Sequence, residues 1–387
     1  LNIVYMDNAS GAPVDKRVIE AMLPYFETQV GNPASLHTSG INARRALKQS
    51  RESVANLIGA QSKEIIFTSG GTESNNIALR GAAHRKKKKG NHIITTAIEH
   101  MSVVNTCKDL QREGFEVTTV PIDKDGLVDP KRIEHEITDQ TILISCMYAN
   151  GEIGTIQPIA EIGTIARDRD IVFHVDAIAA AGKIPIDVQR DNIDLLSISA
   201  NDLYGPKGVG ALYARTGVPL RPVMTGGGQE KGLRSGSENI PGIVGMGKAC
   251  ELAKLEMGTY ADKMEKLREK LIEEILGNIK YAYLTGHPTR RLPNIVSLRF
   301  SFIEGESIIM SLSDLGIEAS TGSACSVKTL EPSSVLIAIG LRHEEAHGSL
   351  LLSLNKWNTD EEVDKVLESV PIVVDRLRAL SPLYQGE

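Results

Sequence analysis

An alternation of two hydrophobic patterns constrains this 387-residue chain more than any other feature. Continuous apolar runs rich in β-branched residues recur at 64–68, 92–96, 115–120, 141–145, 171–175 and 195–198. Amphipathic stretches such as 42–58 and 101–114 lie between them. Continuous apolarity, as opposed to strict alternation, belongs to strands covered on both faces. Strands and helices taking turns in this way predict an α/β domain with a mostly parallel sheet.

The pattern changes at 217–242, where Gly226, Gly227, Gly228, Gly232, Gly236 and Gly242 crowd among prolines. A loop of that length inside a compact domain is ordered or functional. A charged helix is predicted over 245–276. Strands near 295–300 and 317–319, with helices near 306–315 and 360–380, then form a smaller α+β domain. The expected division is a large domain over 16–257 and a small one built from 1–15 and 258–387.

Composition removes several function classes. The balance of 43 basic and 49 acidic residues, a net charge of −6, argues against a dedicated nucleic-acid binder. The run Arg85 to Lys89 reads as a solvated helix end. No stretch approaches the roughly 18 apolar residues of a membrane span, and no basic region followed by an apolar run opens the chain. Four scattered cysteines with no C-x-x-C pair fit neither a disulfide framework nor a structural zinc site. A reducing, cytoplasmic setting is expected.

Three segments carry candidate chemistry. Thr68 to Asn76 (TSGGTESNN) stands between a predicted strand and a predicted helix. Small residues at a helix start expose backbone N–H groups to an anion such as a phosphate, although an ordinary strand-to-helix turn remains open. Asp176 closes the run 171–175, at the sheet edge where open α/β sheets bind ligands. Its carboxylate there suits a protonated pyridine nitrogen or, equally, a helix N-cap. His100, after another strand end, is placed to stack on an aromatic cofactor or to serve as a plain polar residue. Cys325, among small residues at 322–326, is the candidate nucleophile or metal ligand. Cys107, Cys146 and Cys250 read as packing residues, Cys146 within a strand at 142–147. His343 to His347 (HEEAH) fits a zinc-protease pattern but lacks an obvious third ligand. The glycine-rich 205–210 is read as a turn.

Taken together these segments resemble the cysteine desulfurases, the IscS/NifS family within the class V aminotransferase group of pyridoxal-phosphate enzymes. The resemblance runs nearly end to end. It is carried by Tyr5 to Asn8, Gly31 to Ser35, Ser69 to Ser74, Thr96 to His100, Glu152 to Gly154 and His174 to Ala177. It continues through Tyr204 to Gly208, Gly226 to Glu230, Arg234 to Gly236, Ser323 to Cys325 and Leu380 to Leu383. It implies the fold type I architecture of a homodimer, with a mixed, mainly parallel seven-stranded sheet in the large domain and a smaller α+β domain carrying the Cys325 loop.

Residue by residue, the resemblance places Gly71, Thr72 and Ser199 on the cofactor phosphate, with Ser237 reaching it from a second subunit. His100 lies over the ring as a catalytic group, Asp176 meets the pyridine nitrogen, and Asn150, Asn201 and Asp202 complete the cofactor site. Cys325 takes sulfur from L-cysteine as a persulfide, alanine is released, and the sulfur passes to an IscU-type iron–sulfur scaffold protein.

Four positions depart from the family pattern. Asn201-Asp202 replaces the His-Lys pair whose lysine forms the internal Schiff base, and a carboxylate offers no nucleophilic amine. Leu351 replaces the arginine that grips the substrate carboxylate, Ala179 a cofactor-binding Gln, and Gly151 the second Asn of Asn-Asn-Glu. Two readings follow. In the first, the protein is a desulfurase that holds pyridoxal 5'-phosphate, or pyridoxamine phosphate, without a covalent bond. In the second, cofactor is absent or idle and the protein is a non-enzymatic assembly partner. Cys325 then supplies a ligand to a [2Fe-2S] cluster shared with the scaffold, and inorganic sulfide is the sulfur source.

Overall fold

The computed structural model describes residues 3–322 and 332–384. Among the described residues the strands are β1 (Val4–Tyr5), β2 (Ile65–Thr68), β3 (His92–Thr96), β4 (Glu116–Val120), β5 (Thr141–Ser145) and β6 (Val172–Asp176), then β7 (Leu195–Ser199), β8 (Gly210–Ala214), β9 (Ala282–Leu284), β10 (Ile295–Phe300), β11 (Ile317–Glu318) and β12 (Ser349–Ser353). Seven of them form one sheet in the order β2-β8-β7-β6-β5-β3-β4. β8 runs antiparallel to both β2 and β7, and the other pairs are parallel, so the sheet is mixed and mainly parallel.

β3, β5 and β6 are buried along their whole length, as their continuous apolarity requires. β4 corrects the expectation of two covered faces. It is one of two edge strands, and its Glu116 and Thr119 are exposed. Gly210 opens β8 where a turn was expected to continue. β12 was missed altogether, although its LLL centre is buried against β10. Cys146 lies one residue beyond β5 and not within it.

The long helix runs over Ile240–Asn278, five residues earlier than its charge pattern predicts. The Asn239 side chain caps its start by accepting from the Gly242 N–H, and Pro241 sits in the first turn, where its missing donor costs nothing. Ile243, Met246, Ala249, Cys250, Leu252 and Ala253 on this helix join the core of the large sheet. Further along, Tyr260, Met264, Leu267, Leu271, Ile272 and Ile275 join a second core, built with β10, β12 and the helix Asp360–Leu380. Met6 and Ala12 belong to that second core. No helix among the described residues is long and apolar enough to cross a membrane.

Candidate active site

The site lies at the C-terminal ends of β6 and β7, facing the starts of two helices. The first helix, Gly71–Lys86, follows β2 through Ser69 and Gly70. Gly70 adopts φ 152°, a conformation open to glycine and strained for other residues. Gly210 of β8 approaches it so closely that a Cβ there would lie 2.7 Å from the Gly70 Cα. Thr68 Oγ1 and Ser74 Oγ hydrogen-bond at 2.8 Å across the turn, and Ser74 Oγ also donates to the Gly70 carbonyl at 3.2 Å. The turn is thereby locked with the first helical N–H groups unpaired by the helix. Gly71 is buried and Thr72 exposed at its mouth. Glu73 takes the Ser69 N–H and the Arg234 guanidinium, the latter at 3.0 Å, fastening the 217–239 loop beside the cup. Burial raises the Glu73 carboxyl, but those donors outweigh it and leave the group below its ordinary range.

Asp176 ends β6 and is buried. Its Oδ1 accepts the Ile178 N–H at 3.1 Å and its Oδ2 accepts Asn75 Nδ2 at 2.7 Å. Burial pushes this carboxyl up, against the downward pull of both donors and of nearby His100. Asn75 Nδ2 donates in addition to Ser102 Oγ at 2.8 Å, and Ser102 Oγ meets His100 Nδ1 at 2.7 Å. His100 is the N-cap of the helix Met101–Arg112, with Nδ1 accepting the Ser102 N–H at 3.1 Å. That bond assigns the proton of the neutral ring to Nε2. The chain Asp176, Asn75, Ser102, His100 thus joins a strand end to two helix starts. Behind it Glu99 is buried, its carboxyl raised by burial to about 8 and held by the Thr96 hydroxyl at 2.5 Å and the Met147 N–H at 2.9 Å.

The second arm begins at Ser199, the last residue of β7, and continues into the short helical turn Asn201–Leu203. The Ser199 hydroxyl draws the Asp202 carboxyl down. Burial raises that carboxyl to about 6; Lys183 opposes the rise and Asp176 adds to it. Lys183 is itself buried, with its ammonium donating to the Asp202 main-chain carbonyl and lying 4.8 Å from the Tyr204 ring centroid. Lys207, the other nearby lysine, is exposed, and its amine lies against Gly11.

The remaining expected residues fall as follows. Asn150 is buried but already bonded: its amide nitrogen donates to the Ile98 carbonyl at 3.0 Å, and its oxygen accepts the N–H groups of Glu152 and Ile153. In this chain it shapes the turn beside the site. Ser237 is exposed on the 217–239 loop. Gly151 and Ala179, two of the four departures, face one another, a Cβ on Gly151 falling 3.5 Å from that of Ala179. Leu351 is buried in β12, its main chain bridged to Ser320. Cys325 lies outside the described residues. Cys107, Cys146 and Cys250 are buried free thiols, and burial pushes Cys107 and Cys250 up to about 12. The His343–His347 helix uses Glu345 to cap its own start, and no metal-binding cluster occurs among the described residues.

A phosphorylated pyridine cofactor fits this donor set in two places and lacks a partner in a third. The glycine cup offers unpaired N–H groups, and Asp176 offers a buried carboxylate aligned by two donors. Asn75 Oδ1 and Asn201 Oδ1 are buried with no hydrogen-bond partner, as expected of polar atoms that meet a ligand. At 202, the chain provides a carboxylate instead of an amine.

The chain belongs to the class V aminotransferase family, whose model matches residues 4–366. Its architecture is the fold type I of pyridoxal-phosphate-dependent transferases. It is 56% identical over 381 residues to cysteine desulfurase IscS 1 of Archaeoglobus fulgidus, covering 98% of this chain and 99% of that one. It is 53% identical to a cysteine desulfurase IscS of Methanosarcina thermophila, covering 99% and 95%. Among solved structures, a NifS-like protein superposes with a TM-score of 0.91 at 40% identity, over 97% of this chain and all of that one.

Asn75, Ser102 and Lys183 escaped the sequence reading. Asn75 carried a faint signal, standing four residues after Gly71 and so on the same helix face. Lys183, in a run of small residues, carried none.

Proposed function

We propose that this chain is a cysteine desulfurase of iron–sulfur cluster assembly, taking sulfur from L-cysteine and handing it to an IscU-type scaffold. The observation that carries this reading is the intact chain from Asp176 through Asn75 and Ser102 to His100, beside a preserved phosphate cup. Its relatives are named cysteine desulfurases across almost the whole chain. Pyridoxal phosphate, when bound, withdraws electrons from the substrate amino acid and weakens its bonds. Gly71, Thr72 and Ser199 would hold the phosphate, Asp176 would keep the ring nitrogen protonated, and His100 would cover the ring and move a proton at Nε2. With Asp202 at the amine position, the cofactor is held without a covalent bond to the chain.

The Cys325 thiolate attacks the substrate sulfur. A sulfur–sulfur bond forms, the carbon–sulfur bond breaks, and its electron pair goes to the substrate β-carbon, which takes a proton and departs in alanine. Cys325 keeps the sulfur as a persulfide. A second copy of the chain would supply Ser237, and the exposed Leu23, Phe26, Val30 and Leu36 suit such a homodimer face. We place the protein in the cytoplasm, in keeping with its three free, buried thiols.

Asp202 and Leu351 favour a second reading, in which the protein assembles clusters without desulfurase turnover. Cys325 then ligates a [2Fe-2S] cluster shared with the scaffold, and sulfide supplies the sulfur. One experiment separates them: alanine and sulfide release from L-cysteine with added pyridoxal phosphate, for wild type and Cys325→Ser. The first reading requires turnover above that of free cofactor, lost in Cys325→Ser. No turnover, combined with a scaffold cluster that forms from sulfide only when Cys325 is present, would establish the second.

A further inference from the structure

Asp202 lies among Lys183, Ser199 and Asp176, each of which acts on its carboxyl. The Lys183 ammonium is tied to the main-chain carbonyl of Asp202 and shielded by the Tyr204 ring. Besides Lys183, the groups that draw the Asp202 carboxyl down are the Ser199 hydroxyl and its own N–H, both neutral. Among the described residues, Lys183 is therefore the one cation that draws the Asp202 carboxyl towards its ionised form, and Asp176 opposes it. Lys356, the next cation, is neutralised elsewhere by Asp15 at 2.6 Å and Glu256 at 3.6 Å. Of the other titratable groups among the described residues, His100 acts on Asp176 from the helix start across the site, Glu99 faces Asp176 from behind, and the Tyr204 hydroxyl faces Asp202.

Such a site lacks a positive charge that a ligand can bring. An aldehyde oxygen placed beside Asp202 sets one acceptor against another, with no hydrogen between them. A primary ammonium in the same place supplies three donors and a charge-assisted hydrogen bond. We propose that Asp202, with Lys183 as its counter-ion, is an ammonium-binding subsite that makes this pocket select the amine form of the cofactor, pyridoxamine phosphate, over the aldehyde form. The proposal rests on the noncovalent cofactor binding argued above. Asp202 contacts the ligand, and Lys183 is a positioning residue acting through it.

The role of Lys183 follows from the electrostatics of burial. Burial and Asp176 both drive the Asp202 carboxyl towards its neutral form, and Lys183 is the largest influence holding it ionised. Burial lowers Lys183 to about 8 while Asp202 draws it back up. Between about pH 6 and pH 8 both groups are charged. Without Lys183, Asp202 holds its proton to higher pH and ionises less readily.

The test is equilibrium binding of pyridoxamine phosphate and of pyridoxal phosphate to the full-length, cofactor-free protein, read by absorbance and fluorescence. Wild type at pH 7 is expected to bind the amine form at least tenfold more tightly. Asp202→Asn brings that ratio close to one. Lys183→Met weakens the amine form about tenfold at pH 7, recovers it relative to wild type at pH 8.5, and leaves the aldehyde form unchanged. Lys183→Arg keeps the preference. A wild-type ratio of one or below overturns the proposal while leaving noncovalent binding intact, and so does an equal loss of both forms in Lys183→Met at every pH. Failure of wild type to bind either form overturns the proposal and the reading beneath it. If Lys183→Met does not fold, Asp202→Asn decides alone.

Discussion

Asp176 and Asp202 are the two carboxylates of one site, and they are held by opposite means. Asp176 sits at the end of a buried strand, bonded to a main-chain N–H and an asparagine amide, both uncharged. Asp202 sits on a short helical turn, and a buried ammonium dominates the forces that keep it ionised. Hydrogen bonds to neutral donors fix where an acid points. A buried counter-ion fixes whether it is charged. The Asp176 arm is therefore built to orient a ring and the Asp202 arm to select a charge.

The largest effect that would break this contrast comes from Asp176→Ala. It deprives the Asn75 amide of one of its two acceptors and removes the group that would partner the cofactor's ring nitrogen. Breaking one side of a buried charged pair costs about 3–5 kcal/mol, or roughly a 10²–10³-fold loss of affinity. Titration of the variant with pyridoxal phosphate, followed by absorbance, measures it. Asp202→Asn is expected to change the same affinity less than tenfold. Equal losses would show that the arms are not specialised.

A second, smaller effect concerns the acids behind the site. Burial raises Glu99 to about 8 and Glu152 to about 7, the latter against the downward pull of Ser333. Both folded-state values lie above the ordinary carboxylate range, so from about pH 4.5 upward these two groups hold more protons in the native protein than in the unfolded chain. The stability they contribute is complete below that point and is lost as pH rises through 7 and 8. Glu99→Gln keeps an oxygen for Thr96 and Met147 and cannot ionise. It should flatten the fall, adding on the order of a few kcal/mol at pH 8 and little at pH 5. Denaturant unfolding across that range checks it. An unchanged slope would mean that Glu99 is ionised inside the protein, and that Asp176 has a charged neighbour after all.

The legible half of the site is the half set by local sequence. A strand run closed by Asp176 and a small-residue turn before a helix are both contiguous, and both stand where they were expected. The Asn75–Ser102–Asp176 contacts join residues 27 and 101 positions apart, so no window along the chain shows them. Lys183 was invisible for another reason. A lysine after Ala180, Ala181 and Gly182 reads as solvent-exposed, and only Tyr204, Asp202 and the long helix packed over Gly182 bury it. The exposed faces of β4 belong to the same class of error. Apolarity marks a strand, while its neighbours are decided by the whole sheet.

The smallest predicted effect tests the relay inside the Asp176 arm. Ser102 Oγ stands between Asn75 and His100, receiving the amide and meeting the ring nitrogen. Ser102→Ala leaves the His100 cap in place, because the Ser102 main-chain N–H still donates to Nδ1. What is lost is one buried hydroxyl and the restraint it puts on the Asn75 amide, a net change of about 1 kcal/mol. Asn75 then rotates more freely, and Asp176 loses direction without losing charge. Pyridoxal phosphate affinity should fall roughly fivefold, in line with that energy. The ratio of amine to aldehyde binding should not move, because Asp202 and Lys183 are untouched. A shift in that ratio would mean that the hydroxyl couples the two arms, and the site would then have to be treated as one network.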